Sequence, residues 1–247
     1  MATSLVVEYR PPVAELRLSR PERGNAVDAA MLEALARACA ELHDRDDVSV
    51  VLLTAEGADF GRGGETAVAA DGKPPFRCVE LAPQPVIAVV QGEASGAWLE
   101  LALACDVRVA AADARFSMPD VGAGRMPSGG ATQRLPRLVG RAFASELLLL
   151  GAVFDAETAL RIGLVNAVAA DAAAARAQAE ALAARIAERG PLAVRYAKEA
   201  MLRGLDMPLE QALRYETDLT VILQTTADRA EGVRAFVEKR APEFRGE

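Results

Sequence analysis

The chain has 247 residues, of which 51% are hydrophobic and 26% charged, a composition typical of globular proteins with a sizeable core. Its formal net charge of −7 argues against a nucleic-acid surface, because phosphate contacts need clustered Lys and Arg. The first residues lack the pattern of a signal peptide, and carboxylates interrupt the apolar stretch 85–112, so no membrane span is predicted. Three cysteines, far apart in apolar surroundings, predict reduced thiols and a cytoplasmic location.

The first half of the chain alternates strand and helix patterns. Short runs of β-branched and apolar residues predict strands over 6–10, 13–19, 48–54 and 85–90. Asp28 is a suitable cap for a helix over 29–40, where apolar residues recur at helical spacing. This alternation predicts an α/β core.

From about residue 170 the pattern becomes helical. A helix over 172–190 ends at Gly190-Pro191, a pair that stops helices. Three more helices are predicted over 191–204, 208–226 and 228–239. The α/β core is therefore followed by a helical tail, and such tails often mediate assembly.

The sequence argues against two kinds of functional site: sites built on histidine and nucleotide-binding loops. The single histidine, His43, lies at a polar helix end, where the helix dipole favours its cation, so histidine catalysis and a His-rich metal site are not expected. No P-loop motif occurs, and Pro127 disrupts the one partial dinucleotide-binding pattern. Carboxylates and glycines remain as the candidates for chemistry, and no metal site is predicted.

Glu100 is the most unusual residue, because it lies within the apolar run GAWLELALAC. A buried carboxylate is costly, and burial raises its pKa toward the range useful for acid–base catalysis. The alternative is a structural ion pair with an arginine such as Arg108. Glu100 alone does not decide between them.

A second carboxylate and two glycine-bearing turns accompany Glu100. Asp120 follows Pro119 and precedes a glycine-rich loop; alone it is typical of a turn or helix N-cap. The turns at 60–65 and 92–96 each follow a predicted strand, and backbone N–H groups there could converge on an oxyanion. Taken singly, each is better explained as a tight turn.

Together these segments resemble the crotonase superfamily, the enoyl-CoA hydratase/isomerase family. The matching segments, in order along nearly the whole chain, are LSRPERGNAVD, VVLLTAEGADFGRGGE, QPVIAVVQGEASGAWLELALACDVRVAA, ARFSMPDVGAGRMPSGGATQRLPRLVG and AFVEKR. The resemblance implies an α/β crotonase-like (ClpP/crotonase) spiral of ββα units with a C-terminal helical trimerisation region. It divides the chain into an acyl-CoA-binding core, 1–190, and an oligomerisation region, 191–247.

The resemblance also implies the catalytic groups. Backbone N–H groups of Gly64 and Ala97 would hold the thioester oxygen. Glu100 and Asp120 fall on the positions of two glutamates that hold the water added to C3 and supply the proton for C2. Carboxylates at both positions favour hydration over isomerisation, which in this superfamily usually keeps only the second.

Further positions imply substrate contacts: Arg23, Gly24, Arg62, Gly63, Trp98, Ser128 and Lys239. Arg23 and Gly24 match the loop along the pantetheine and phosphate end of CoA, and the Ser128 N–H matches a group that holds the catalytic water. Lys239 is a candidate phosphate contact that a neighbouring subunit could supply, or a surface residue favoured by the helix dipole.

Three departures from the family pattern accompany these matches. Asp120 is one methylene shorter than the usual Glu, and Gly96-Ala97-Trp98 replaces the usual three glycines, so Trp98 is expected to reshape the pocket. Arg62 replaces an alanine; it could reach CoA phosphates or adenine, or be solvated while only its backbone meets the adenine.

The resulting hypothesis is a hydro-lyase, a 2-enoyl-CoA hydratase. It needs no metal or redox cofactor, because CoA arrives as part of the acyl-CoA thioester substrate, and a homotrimer or hexamer is implied. The alternatives are an enoyl-CoA isomerase, an acyl-CoA hydrolase, or a catalytically silent protein that binds CoA thioesters.

Overall fold

A computed structural model describes residues 4–63 and 75–247 of the chain. The strands are β1 Leu5–Arg10, β2 Val13–Leu18, β3 Val50–Ala55, β4 Val86–Val90, β5 Glu93–Ser95, β6 Val107–Ala111, β7 Arg115–Ser117, β8 Val153–Asp155 and β9 Ala167–Ala169. The helices are α1 Ala29–His43, α2 Arg77–Glu80, α3 Ala97–Leu103, α4 Ala131–Leu150, α5 Ala156–Arg161, α6 Ala172–Ala187, α7 Pro191–Gly204, α8 Leu209–Gln224 and α9 Ala227–Glu238. The predicted α/β core with a helical tail is confirmed.

A six-stranded sheet forms the centre of the core, in the order β1-β2-β3-β4-β6-β9. β1 and β2 are antiparallel, as their short connection requires, and the following neighbours are parallel. The predicted buried strands are confirmed, since all of β4 and nearly all of β3 are buried. Helices cover both faces, which such continuous apolar strands require.

Helix α1 covers one face of this sheet and begins at the predicted cap. The Asp28 side chain accepts a hydrogen bond from the Met31 N–H at 2.8 Å. Helix α6 covers the other face with three small buried residues, Ala175, Ala179 and Ala183. Alanine at these positions lets the helix approach the strands closely.

A second sheet of three short strands, β5-β7-β8, leads into the site. The segment before residue 64 joins it, because the Gly61 N–H donates to the Glu93 carbonyl at 2.8 Å and the Ser95 N–H donates to the Gly61 carbonyl at 3.1 Å. β5 runs directly into α3. The turn at 60–63 therefore lies beside the start of that helix.

The C-terminal helices α7–α9 follow the core, as predicted. Lys198 of α7 is buried, and its Nζ donates to Asp106 Oδ2 at 2.7 Å and to the Gln84 carbonyl at 2.9 Å. This ion pair fixes the first tail helix on the core. Within 4–63 and 75–247, none of the helices combines the length and apolar character that a bilayer span would require.

Candidate active site

Helix α3 places the first candidate carboxylate. Gly96 precedes it with φ 58° and ψ −120°, a conformation that only glycine adopts readily, and this turn redirects the chain from β5 into the helix. All seven residues of α3 are buried. Glu100, on the first turn, is therefore enclosed by the core and is 1% exposed.

The Glu100 carboxylate is held through one oxygen. Oε1 accepts hydrogen bonds from the backbone N–H groups of Gly129 at 2.8 Å and Ala131 at 3.0 Å. Oε2 has no hydrogen-bond partner within the described residues. Burial raises the pKa of Glu100, against the effect of the two N–H donors, and the negative charge of Asp120 raises it further.

The predicted alternative of an ion pair with Arg108 is wrong. The buried Arg108 guanidinium donates to the backbone carbonyls of Leu164 at 2.7 Å, Cys105 at 2.6 Å and Ala102 at 3.3 Å. Two of these carbonyls lie at the C-terminal end of α3, where a cation is favoured by the helix dipole. Arg108 stabilises the helix that carries Glu100, and within residues 4–63 and 75–247 no cation forms an ion pair with the Glu100 carboxylate.

Asp120 precedes a 3-10 turn, Val121–Ala123, and is 5% exposed. It lies at a turn, but its side chain makes no capping hydrogen bond to that turn. Its Oδ1 is 3.7 Å from Nη2 of the exposed Arg125. A Cβ atom added to Gly96 would lie 3.5 Å from Asp120 Oδ2, so this carboxylate is close to the start of α3.

Of the two predicted oxyanion donors, the structure describes Ala97 but not Gly64. The Ala97 N–H is at the N-terminus of α3 and has no acceptor within the described part of the chain. Gly64 lies outside the described residues; Gly63, the residue before it, is exposed and has φ 69°. Ser128 is half-buried, immediately before Gly129, whose N–H holds Glu100.

Trp98 is fully buried below the turn at 60–63. Its ring packs edge to face on Phe60, with centroids 6.3 Å apart, and a Cβ on Gly61 would overlap the indole. Because none of the ring is exposed, its influence on the pocket acts through the position of Gly61.

Two segments predicted to contact the substrate, 23–24 and 62–63, lie next to each other. The Arg62 N–H donates to the Gly24 carbonyl at 2.9 Å, and the exposed Arg62 side chain lies 3.2 Å from Asp59 and packs on Gly24. Arg23, also exposed, ends the preceding 3-10 turn. The structure thus brings together 23–24 and 62–63, with the Arg62 side chain solvated.

Lys239 is separate from these two segments. It caps the C-terminus of α9 with φ 55° and is exposed. Helix α9 packs on α8, away from α3.

Two site-building residues were not singled out from the sequence. Asn25 is fully buried, and its Nδ2 donates to the carbonyls of Glu56 at 3.0 Å and Asp59 at 3.2 Å, which joins the loop at 20–25 to the turn before 60. Gly129 has no room for a side chain, because a Cβ there would lie 2.5 Å from Glu100 Oε2. The adjacent glycines at 129 and 130, ahead of a helix, were the available signal.

Comparison with known proteins identifies the family of the chain. The Enoyl-CoA hydratase/isomerase family model matches residues 8–247. The chain belongs to this family. It is 36% identical to crotonyl-CoA hydratase of Syntrophomonas wolfei, covering 98% of this chain and 97% of that protein, and 37% identical to 2,3-dehydroadipyl-CoA hydratase of Escherichia coli, covering 99% of each.

Solved structures of the enoyl-CoA hydratase/isomerase family also match. A crystal structure of enoyl-CoA hydratase from Bacillus anthracis superposes with a TM-score of 0.91 at 35% identity, covering 99% of this chain and 100% of that one. A second, from Mycobacterium tuberculosis, has a TM-score of 0.91 at 33% identity and covers 100% of both chains. The crotonase-like fold predicted from the sequence is confirmed.

Proposed function

We propose that the chain is a 2-enoyl-CoA hydratase, a hydro-lyase that adds water across the 2,3-double bond of an acyl-CoA thioester. The observation that carries the proposal is the state of Glu100. Its carboxylate is buried and pinned through Oε1, whereas Oε2 has no partner within the described residues and shares its surroundings with Asp120. Curated relatives at 34–37% identity that are named hydratases support it.

Electrostatic stabilisation of the thioester oxygen is the first element of the proposed mechanism. The Ala97 N–H, at a helix N-terminus and without an acceptor in the described chain, is one donor, and Gly64 is proposed as the other. Donors fixed before the reaction stabilise the enolate that forms when C3 is attacked. Because Ala97 and Glu100 share one helical turn, the polarised carbonyl and the water are held in a constant relation.

Proton transfer is the second element. Glu100, as carboxylate, orients a water molecule and takes one of its protons while the water oxygen bonds to C3. The π electrons of the double bond move into the thioester enolate, and Asp120, protonated during the addition, delivers its proton to C2. Exchange with solvent restores both groups. The raised pKa of Glu100 makes its carboxylate a better proton acceptor than an exposed glutamate.

The remaining contacts concern CoA. Arg23, Gly24, Arg62 and Gly63 are proposed to bind its pantetheine and phosphate end, and their meeting at one edge of the site supports this. Ser128 is proposed to hold the catalytic water, Trp98 to shape the acyl pocket, and Lys239 to contact phosphate from a neighbouring subunit. No metal or redox cofactor takes part in this scheme.

A homotrimer or a hexamer is proposed, with 191–247 as the assembly region. Large apolar side chains on α7, α8 and α9 support this, because they are at least half exposed in one chain: Met201, Leu205, Leu209, Leu213, Val221, Phe236 and Val237. A cytoplasmic location is proposed, and the three cysteines, all free thiols, are compatible with it.

A substrate scan tests the function. Crotonyl-CoA, aromatic enoyl-CoAs and enoyl-CoAs with a distal carboxylate cover the acyl types in the relatives' names. Loss of the enoyl absorbance with formation of 3-hydroxyacyl-CoA supports the proposal. Release of free thiol identifies a hydrolase, double-bond migration identifies an isomerase, and ligand-dependent stabilisation without turnover identifies a silent binding protein; each contradicts it.

A further inference from the structure

The Gly129-Gly130 segment is confined between two charged side chains. On one side, a Cβ on Gly129 would lie 2.5 Å from Glu100 Oε2 and 2.9 Å from the Phe76 ring. On the other side, a Cβ on Gly130 would overlap the guanidinium of Arg134. Both positions therefore need glycine, because only glycine lets the segment approach Glu100 and Arg134 this closely. The position of the segment also depends on the residue that contacts it on the side away from Glu100.

Arg134 contacts the Gly129-Gly130 segment on the side away from Glu100. Its Nη1 donates to the Gly129 carbonyl at 2.7 Å, while Nε and Nη2 donate to the two oxygens of Glu80 at 3.1 and 2.8 Å. The Arg134 side chain is only 16% exposed. Hydrogen bonds and charge from Arg134 keep the pKa of Glu80 below its ordinary value in spite of partial burial. The planar guanidinium thus joins α2 to the loop that precedes α4 through three hydrogen bonds.

We infer that Arg134 is a positioning residue for Glu100, acting through the Gly129 backbone and braced by Glu80. The inference rests on the proposed hydratase function. Gly129 donates its N–H to Glu100 Oε1 and accepts from Arg134 at its carbonyl, so both polar groups of this residue are anchored. With Oε1 fixed, Oε2 is directed at the water. Without Arg134, the Gly129 backbone can rotate more freely, and the Ala131 N–H alone then holds Oε1 in a fixed position.

The positive charge of Arg134 has a second, separable effect. Burial raises the pKa of Glu100, and the nearby charge of Arg134 acts in the opposite direction and lowers it. Removal of the cation therefore moves the acid limb of the rate profile to higher pH. A lysine at position 134 would restore the positive charge. It would not restore the three hydrogen bonds to Glu80 and Gly129, because an ammonium is a point charge without a fixed planar geometry.

Three variants separate these effects: Arg134→Met, Arg134→Lys and, as the matched control, Arg137→Met. Arg137 lies one turn further along α4, is half exposed, and its ion pair is with Asp206. For Arg134→Met we expect kcat about 10- to 100-fold lower with KM within about 3-fold, since misplacement of a catalytic group by about 1 Å costs up to about 100-fold. Its acid limb should move to higher pH. Arg134→Lys should restore the limb but only part of kcat, and Arg137→Met should match the parent.

A double-mutant cycle shows whether Arg134 acts through Glu100. If it does, Glu100→Gln/Arg134→Met should be no slower than Glu100→Gln alone, within about 3-fold, because residues that act as a unit are not additive. An additive loss in the double variant, or a parent-like kcat in Arg134→Met, would overturn the inference while leaving the proposed function intact. Full hydration by Glu100→Gln would instead overturn the function. If Arg134→Met does not fold, Glu80→Gln serves, with an expected loss of about 3- to 10-fold in kcat.

Discussion

Glu100→Gln replaces one carboxylate oxygen by an amide nitrogen of similar size and leaves the packing of α3 unchanged. The amide oxygen can still accept the N–H groups of Gly129 and Ala131, which now lie 2.8 and 3.0 Å from Oε1. The amide nitrogen takes the place of Oε2, the oxygen assigned to the water, and cannot accept a proton. We therefore expect hydration to be slower by about 10²- to 10⁴-fold, the range for loss of a general acid–base group.

The same substitution should stabilise the fold at neutral pH. Burial raises the pKa of Glu100 in the folded chain above its ordinary 4.5. At pH values between 4.5 and this raised pKa, the folded chain therefore binds more protons than the unfolded chain. Parent stability therefore falls as pH rises through that window, and above it the penalty of the buried charge is fully present. Glutamine carries no such penalty. Its advantage should be absent well below pH 4.5 and, at neutral pH, should reach about 1.4 kcal/mol for each unit by which the folded-state pKa of Glu100 exceeds 4.5.

Two measurements check this prediction. Loss of enoyl absorbance gives the rate, and urea unfolding followed by circular dichroism over a pH series gives the free energy of unfolding. Parent activity should also fall with acidification at a midpoint above 4.5, since the carboxylate is the active form. Glu33→Gln, exposed on α1, is the control and should change neither quantity. Hydration within about 3-fold of the parent, or a glutamine variant that is less stable at every pH, would refute the reasoning.

Three further substitutions test separate contacts. Gly129→Ala should lower kcat about 10- to 100-fold and the free energy of unfolding by about 1–3 kcal/mol, because the new Cβ would lie 2.5 Å from the carboxylate oxygen it faces; parent-like kinetics would contradict the arrangement. Lys198→Met should cost about 3–5 kcal/mol in urea unfolding, because the largely buried Asp106 would keep the Val86 N–H but lose its cation, and Asp106→Asn in the same chain should recover part of that loss. Arg125→Ala should change kcat/KM less than about 5-fold, because the Arg125 guanidinium is exposed to solvent and 3.7 Å from the buried Asp120 carboxylate, a pair worth about 0–1 kcal/mol; a larger loss would give Arg125 a direct role.

Elements with an uninterrupted pattern were predictable from the sequence. The helices at 172–190 and 191–204 correspond to α6 and α7 because alanine-rich or amphipathic runs end at Gly190-Pro191. Helix α4, with 20 residues, was not predicted. It contains Pro136 and a non-helical Gly140, and such breakers interrupt the pattern that identifies a helix. The three-residue strands β5, β7, β8 and β9 are too short to show any alternation.

The site was predictable only in part, because its decisive contacts are distant in sequence. The cost of burying Glu100 indicates an unusual residue, but nothing local shows that its partners are N–H groups 29 and 31 positions later. An arginine was the natural guess for a partner, and Arg108 was wrong because its guanidinium is occupied by three carbonyls. Backbone donors carry no sequence signal of their own except the glycines that permit close approach.

The shortness of α3 has a consequence for how this scaffold can diversify. One turn of buried helix carries both the Ala97 N–H and Glu100, so in the proposed mechanism a substitution there would disturb carbonyl polarisation and water placement together. The segment 121–126, beside Asp120, is exposed and carries neither the Ala97 N–H nor Glu100. Libraries that seek new acyl specificity would best randomise 121–126 and leave 96–100 untouched, because such variation spares the helical turn that carries the Ala97 N–H and Glu100.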